Sequence, residues 1–138
     1  MAISTLATVF GVVFLLIGIL GFVPSPPPPD ALPLAVNHGH GLALGMFPVN
    51  TLHNVVHLLF GALGLLAARG AVMSARGYFQ LLAVAYALLA VLGILPMTQT
   101  TFGLIPIYGN DVWLHAIIAI AAGVIGFTTI LTPRPVRA

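Results

Sequence analysis

Four long apolar runs, separated by short polar or proline-rich stretches, set the pattern of this chain: approximately residues 4–23, 49–68, 77–95 and 111–132. An apolar helix of about 20 residues, rising about 1.5 Å per residue, crosses a hydrocarbon layer of about 30 Å. The pattern therefore predicts an all-α membrane protein, a single four-helix transmembrane domain over residues 1–138. The first run, "STLATVFGVVFLLIGILGFV", lacks a basic leader, and "PSPPPPD" after it offers no small-x-small cleavage site. It is expected to be a retained span rather than a signal peptide. Residues 24–47 form the longest connection, stiff at "PSPPPP" and more apolar at "NHGHGLALGMF".

Charge changes the picture by fixing a direction. The chain carries four arginines and two aspartates, far fewer than a soluble domain of this size, and no cysteine. A nucleic-acid surface is excluded, as are disulfides and thiolate metal sites. Arg69 and Arg76 flank the connection between spans 2 and 3, and Arg134 and Arg137 lie in the tail. Asp30 and Asp111 fall on the opposite side. The positive-inside rule predicts cytoplasmic termini and places all five histidines, His38, His40, His53, His57 and His115, in the outer half or outside. Trp113, Tyr108 and Phe102 are expected in an outer aromatic belt.

An internal repeat is also visible. "GMFPVNTLHNVVH" and "GLIPIYGNDVWLH" share Gly-x-x-Pro-x8-His, with Gly45, Pro48 and His57 matched by Gly103, Pro106 and His115. Spans 1 and 3 end alike, in "GFVP" and "GILP", and Phe14 matches Tyr86. Two helical hairpins related by a pseudo-two-fold along the membrane normal are expected, with Pro48 and Pro106 in the first turns of spans 2 and 4. On that reading His57 and His115 lie at one depth, roughly 13 Å below their prolines.

The polar positions within the spans share faces. Asn50, Asn54, His57, Gly61 and Gly64 follow helical spacing on span 2, and Asp111, His115, Ala119, Ala122 and Gly126 on span 4. Small residues mark packed faces, so the histidines are expected to point inward. Two readings compete for His57 and His115. In the first, neutral imidazoles hydrogen-bond across the bundle, to each other, Asn54 or a carbonyl. In the second, they bind a cofactor: haem, chlorophyll or a transition metal. His53 and His57, four apart, are a further candidate metal pair, although no Glu follows His53 as in a metalloprotease helix. A structural pair of His53 and Asp111 is the stronger expectation there. Asn50, Asn54, Asp111 and Tyr86 are expected to form a structural polar cluster, with the Tyr86 hydroxyl reaching His57 or His115. For His38 and His40 a solvated loop outweighs a metal site.

"PVN-x-x-HN-x-VH", Pro48 to His57, and "D-x-W-L-H", Asp111 to His115, resemble the small four-helix bacterial membrane proteins of domain-of-unknown-function family 4383. The resemblance extends over nearly the whole chain and implies the fold and a bacterial plasma membrane, or a thylakoid in a photosynthetic source. It implies no activity. The expected role is a non-enzymatic, multi-pass accessory or structural subunit of a respiratory or photosynthetic complex, touching lipid and either other subunits or its own copies. The alternative is an independent haem- or metal-binding membrane protein in electron transfer or metal handling.

Overall fold

The structure is a computed structural model that describes residues 2–23 and 25–128. Four helices carry it: α1 (Ile3–Leu20), α2 (Thr51–Ala68), α3 (Ala75–Ile94) and α4 (Asn110–Phe127). Each is long and apolar enough to cross a membrane. Large apolar side chains lie bare along their outer faces, among them Leu59, Val84, Ile117 and Ile120. That exposure suits helices whose solvent is lipid. Residues 129–132 of the expected fourth span lie outside the described residues, as do Pro24, Arg134 and Arg137.

The helices pack as two pairs, α1 along α2 and α3 along α4, and the pairs meet through α3. Glycine sets the closeness of the first pair. A Cβ added at Gly61 would stand 2.8 Å from the Leu15 nitrogen and 2.9 Å from the Gly11 carbonyl oxygen. At Gly126 on α4 a Cβ would stand 2.8 Å from the Gln80 nitrogen. These close backbone approaches are what the small residues on the inward faces allow.

Between the pairs lies a core of Phe14, Tyr78, Phe79, Leu82 and Tyr86. Phe10 meets Phe79 edge-on, their ring centroids 5.1 Å apart. The Tyr78 hydroxyl donates to the Phe60 carbonyl at 3.2 Å, so the burial of its ring leaves no stranded polar atom. Arg76 donates to the carbonyls of Gly126 (3.0 Å) and Thr128 (2.7 Å), satisfying carbonyls that the end of α4 leaves open. Gln80 also donates to Gly126. Arg76 thus ties α3 to α4.

The prolines depart from expectation. Pro48 lies in a short strand rather than in a first helical turn, and Pro106 lies in the loop before α4. The strand belongs to a hairpin of β1 (Gly41–Ala43) and β2 (Phe47–Val49), with Gly41 opposite Val49. Its turn places Leu44 at φ 53° and Gly45 at φ 71°, and the Met46 N–H donates to the Ala43 carbonyl. Glycine adopts that left-handed backbone freely; leucine does so only under strain. The hairpin lies over the long-loop end of the bundle, where residues 21–50 and 95–109 connect the helices.

Tyr108 also departs from the belt expectation. Trp113 and Phe102 are exposed, whereas Tyr108 is buried. Its hydroxyl accepts from the Leu32 N–H at 3.4 Å and meets His40 Nε2 at 3.3 Å.

Candidate metal centre

The polar faces of α2 and α4 meet at the long-loop end. Asn50 caps α2: its side-chain oxygen accepts from the His53 N–H at 2.8 Å, a bond that an N-terminal turn leaves unfilled by its own backbone. Its amide donates to the carbonyls of Val36 and Leu104, both at 2.7 Å. One fully buried side chain therefore holds the helix start against both long connections. With α2 fixed in this way, His53 and His57 follow one turn apart on the inward face.

Asp111 enters from the first turn of α4, where the helix dipole favours a carboxylate. His115 stands one turn further on. Asp111 Oδ2 lies 3.8 Å from His53 Nε2 and 3.7 Å from His115 Nε2. One donor atom from each of the three residues falls within 4.8 Å of the others, and all three side chains are buried. Both distances exceed those of a hydrogen bond, about 2.7–3.2 Å. They sit nearer the roughly 3.4 Å that separates neighbouring ligands held about 2.0–2.1 Å from a tetrahedral zinc. Asp111 Oδ2, His53 Nδ1 and His115 Nδ1 have no hydrogen-bond partner among the described residues. A buried polar atom without a partner is costly; of these, Asp111 Oδ2, between the two Nε2 atoms, is the one that a cation at this point would satisfy.

The expected histidine pairs separate into different roles. His57 donates from Nδ1 to the His53 carbonyl at 3.1 Å, since a carbonyl can only accept. Its ring stacks on His53, with centroids 4.6 Å apart, and lies 5.8 Å from Phe14. Tyr86 meets Phe14 at 5.6 Å and His115 edge-on at 5.0 Å. The Tyr86–His115 contact is ring against ring; a hydroxyl bond from Tyr86 to either histidine is not formed. A macrocycle between His57 and His115 would have to displace the buried rings of Phe14, Tyr86 and His53.

Asn54 shares the polar face but not the trio. Its Oδ1 has no hydrogen-bond partner among the described residues and lies against Gly21, where any Cβ would collide with it. Of the two loop histidines, His38 Nδ1 bonds the Thr51 hydroxyl at 2.9 Å and His40 turns to Tyr108, so the pair does not converge. Asn50, His53, Asp111, His115 and Asn54 were each visible as polar residues on helical faces. The approach of His53 to Asp111 was expected from the repeat; that His115 joins them was not, because the relative register of α2 and α4 depends on the hairpin and loops that roof them.

The fold and site define a class: a four-helix, multi-pass membrane protein with a buried histidine–carboxylate cluster at one end. Within that class the chain belongs to the family described as domain of unknown function DUF4383, whose model matches residues 4–128. No curated protein and no solved structure matches it.

Proposed function

We propose that this protein binds a divalent transition-metal ion within the membrane through His53, Asp111 and His115. The carrying observation is the spacing of the trio: two imidazoles and a carboxylate converge at 3.7 and 3.8 Å, too far for hydrogen bonds, around a carboxylate oxygen with no partner. Two imidazoles and one carboxylate suit zinc and iron(II) and leave coordination positions free. Because no acceptor or donor among the described residues claims the two Nδ1 atoms at full hydrogen-bond geometry, each ring can carry its proton there and present Nε2 to the ion. The role is metal binding without catalysis, either by the protein alone or as a subunit of a larger membrane complex. The bare apolar faces of the helices supply surface for lipid and for such partners.

The surrounding geometry supports the remaining orientation. His57 is the seventh residue of α2 and His115 the sixth of α4, consistent with two hairpins related about the membrane normal. Arg69 and Arg76 lie at the opposite end of the bundle from the trio, which favours cytoplasmic termini in a bacterial plasma membrane and a site in the outer half.

Elemental analysis of the detergent-purified protein tests the reading. Stoichiometric zinc, iron, cobalt or manganese is expected, lost in Asp111→Asn and in His115→Ala and retained in His57→Ala. A metal-free protein that takes up none of these ions on dialysis would refute it, as would undiminished binding in Asp111→Asn combined with His115→Ala.

A further inference from the structure

A cavity of about 50 Å³ adjoins the trio. Its polar floor is His53, His57 and Asp111; its walls are Ile17 and Leu20 of α1, Leu44 and Phe47 of the hairpin, and Leu114 of α4. A single water needs about 10–15 Å³ of such space, so the cavity admits a few small atoms and no ring. It lies where the bundle is least closed: the two helix pairs meet through α3, while α1 and α4 are not packed against one another. Leu20 and Leu44 are exposed at its rim. The walls are apolar on the lipid side, and the polar atoms lie at the inner end.

We infer that a metal bound by His53, Asp111 and His115 keeps an exchangeable coordination position facing this cavity, and that the position takes a ligand of one to three heavy atoms. The inference rests on the metal reading above. A structural ion is closed by four protein ligands, whereas three protein donors leave a position for a small molecule. His57 completes the cavity floor. Its Nδ1–H is committed to the His53 carbonyl, so Nε2 is the acceptor nitrogen of a neutral ring. That nitrogen would accept the O–H of a water held in the cavity. The apolar walls and small volume suit compact ligands of low charge, dioxygen and a single water among them, and exclude bulky or multiply charged ones.

Cobalt(II) replaces the native ion as a visible probe, and azide serves as the three-atom ligand. Titrating azide into the cobalt-loaded, detergent-purified protein is expected to shift the visible absorption bands with a saturable dependence, while imidazole at equal concentration leaves them unchanged. Leu114→Trp and, separately, Leu20→Trp fill the cavity from α4 and from α1. Each variant is expected to bind cobalt with unchanged stoichiometry and to lose the azide response at least tenfold in affinity. Cobalt bands that ignore azide in the wild-type chain overturn the open position and leave the metal reading standing. Azide binding unaffected in both tryptophan variants, or imidazole binding as tightly as azide, overturns the cavity as the route. A chain that takes up no cobalt at all overturns both readings.

Discussion

The two ends of the bundle solve the burial of polar atoms in opposite ways. Around Tyr78 and Arg76, every polar group that enters the interior finds a carbonyl: Tyr78 reaches Phe60, and Arg76 and Gln80 reach the end of α4. Around Asp111, four buried atoms have no partner among the described residues: His53 Nδ1, Asn54 Oδ1, Asp111 Oδ2 and His115 Nδ1. In lipid an unmade hydrogen bond has no water to fall back on. The satisfied end is therefore built for stability. The unsatisfied end is the one where the proposed ion would sit, between His53, Asp111 and His115.

The sharpest way to break this contrast is to attack the satisfied half. Gly61→Leu forces side-chain atoms into the Leu15 and Gly11 backbone. The expected loss is about 3 kcal/mol or more, read as a lower midpoint of denaturation in detergent. Metal binding at the far trio should weaken only as the fold does.

Asp111→Leu tests the other half and should act in the opposite direction. Removing a buried carboxylate that lacks a partner should leave the metal-free protein as stable as the wild type or more so, by up to about 1–4 kcal/mol. Addition of metal should stabilise the wild type and leave the variant unmoved. A variant that melts well below the metal-free wild type would show that Asp111 serves the fold instead.

A smaller effect is expected at Tyr78. Tyr78→Phe deletes one hydroxyl and strands no polar group, since the Phe60 carbonyl already accepts within its own helix, so a loss of only about 1 kcal/mol is expected. Chemical denaturation at fixed detergent concentration measures it.

The smallest effect concerns the loops. Partial burial lowers the pKa of His40 from its ordinary 6.5. Unfolded, the group binds a proton more readily than folded, so folding is unaffected well above 6.5 and is weakened as pH falls through 6.5 towards the lowered value. The contact of His40 with Tyr108 should loosen in that window, read as lower hydrogen-exchange protection in residues 30–42 at pH 5.5 than at pH 7.5 once the intrinsic pH dependence of exchange is divided out. His40→Gln should remove the difference.

Much of the fold was legible because lipid imposes simple rules. The four spans follow from length and apolarity, and the inward faces of α2 and α4 follow from Gly61, Gly64, Ala122 and Gly126 at helical spacing. The hairpin was not foreseen, although "GLALGMF" alternates and carries Gly45 at its turn; in a chain this apolar throughout, alternation stands out little. Pro48 and Pro106 misled because a proline before a helix fits a strand or loop as well as a first turn. His53, His57, Asp111 and His115 were all singled out, and the sequence set His53 beside Asp111 but paired His115 with His57 by symmetry. The structure brings His53 to Asp111 and His115, because α2 starts one residue after Asn50 rather than at Pro48 and the loops fix the relative rotation of the helices.

The three hydrogen bonds of the Asn50 side chain also carry a consequence for the order of assembly. Its partners lie 14 residues back, at Val36, and 54 residues ahead, at Leu104. Single membrane helices form independently, before they dock. This tie can close only after α3 has been made and the second helix pair has met the first. Until then the amide of Asn50 has one backbone partner at most, and the trio has no roof. Completion of the tie is thus a late step that couples the first loop to the last helix pair, and a chain arrested after α2 would hold His53 and His57 without a site.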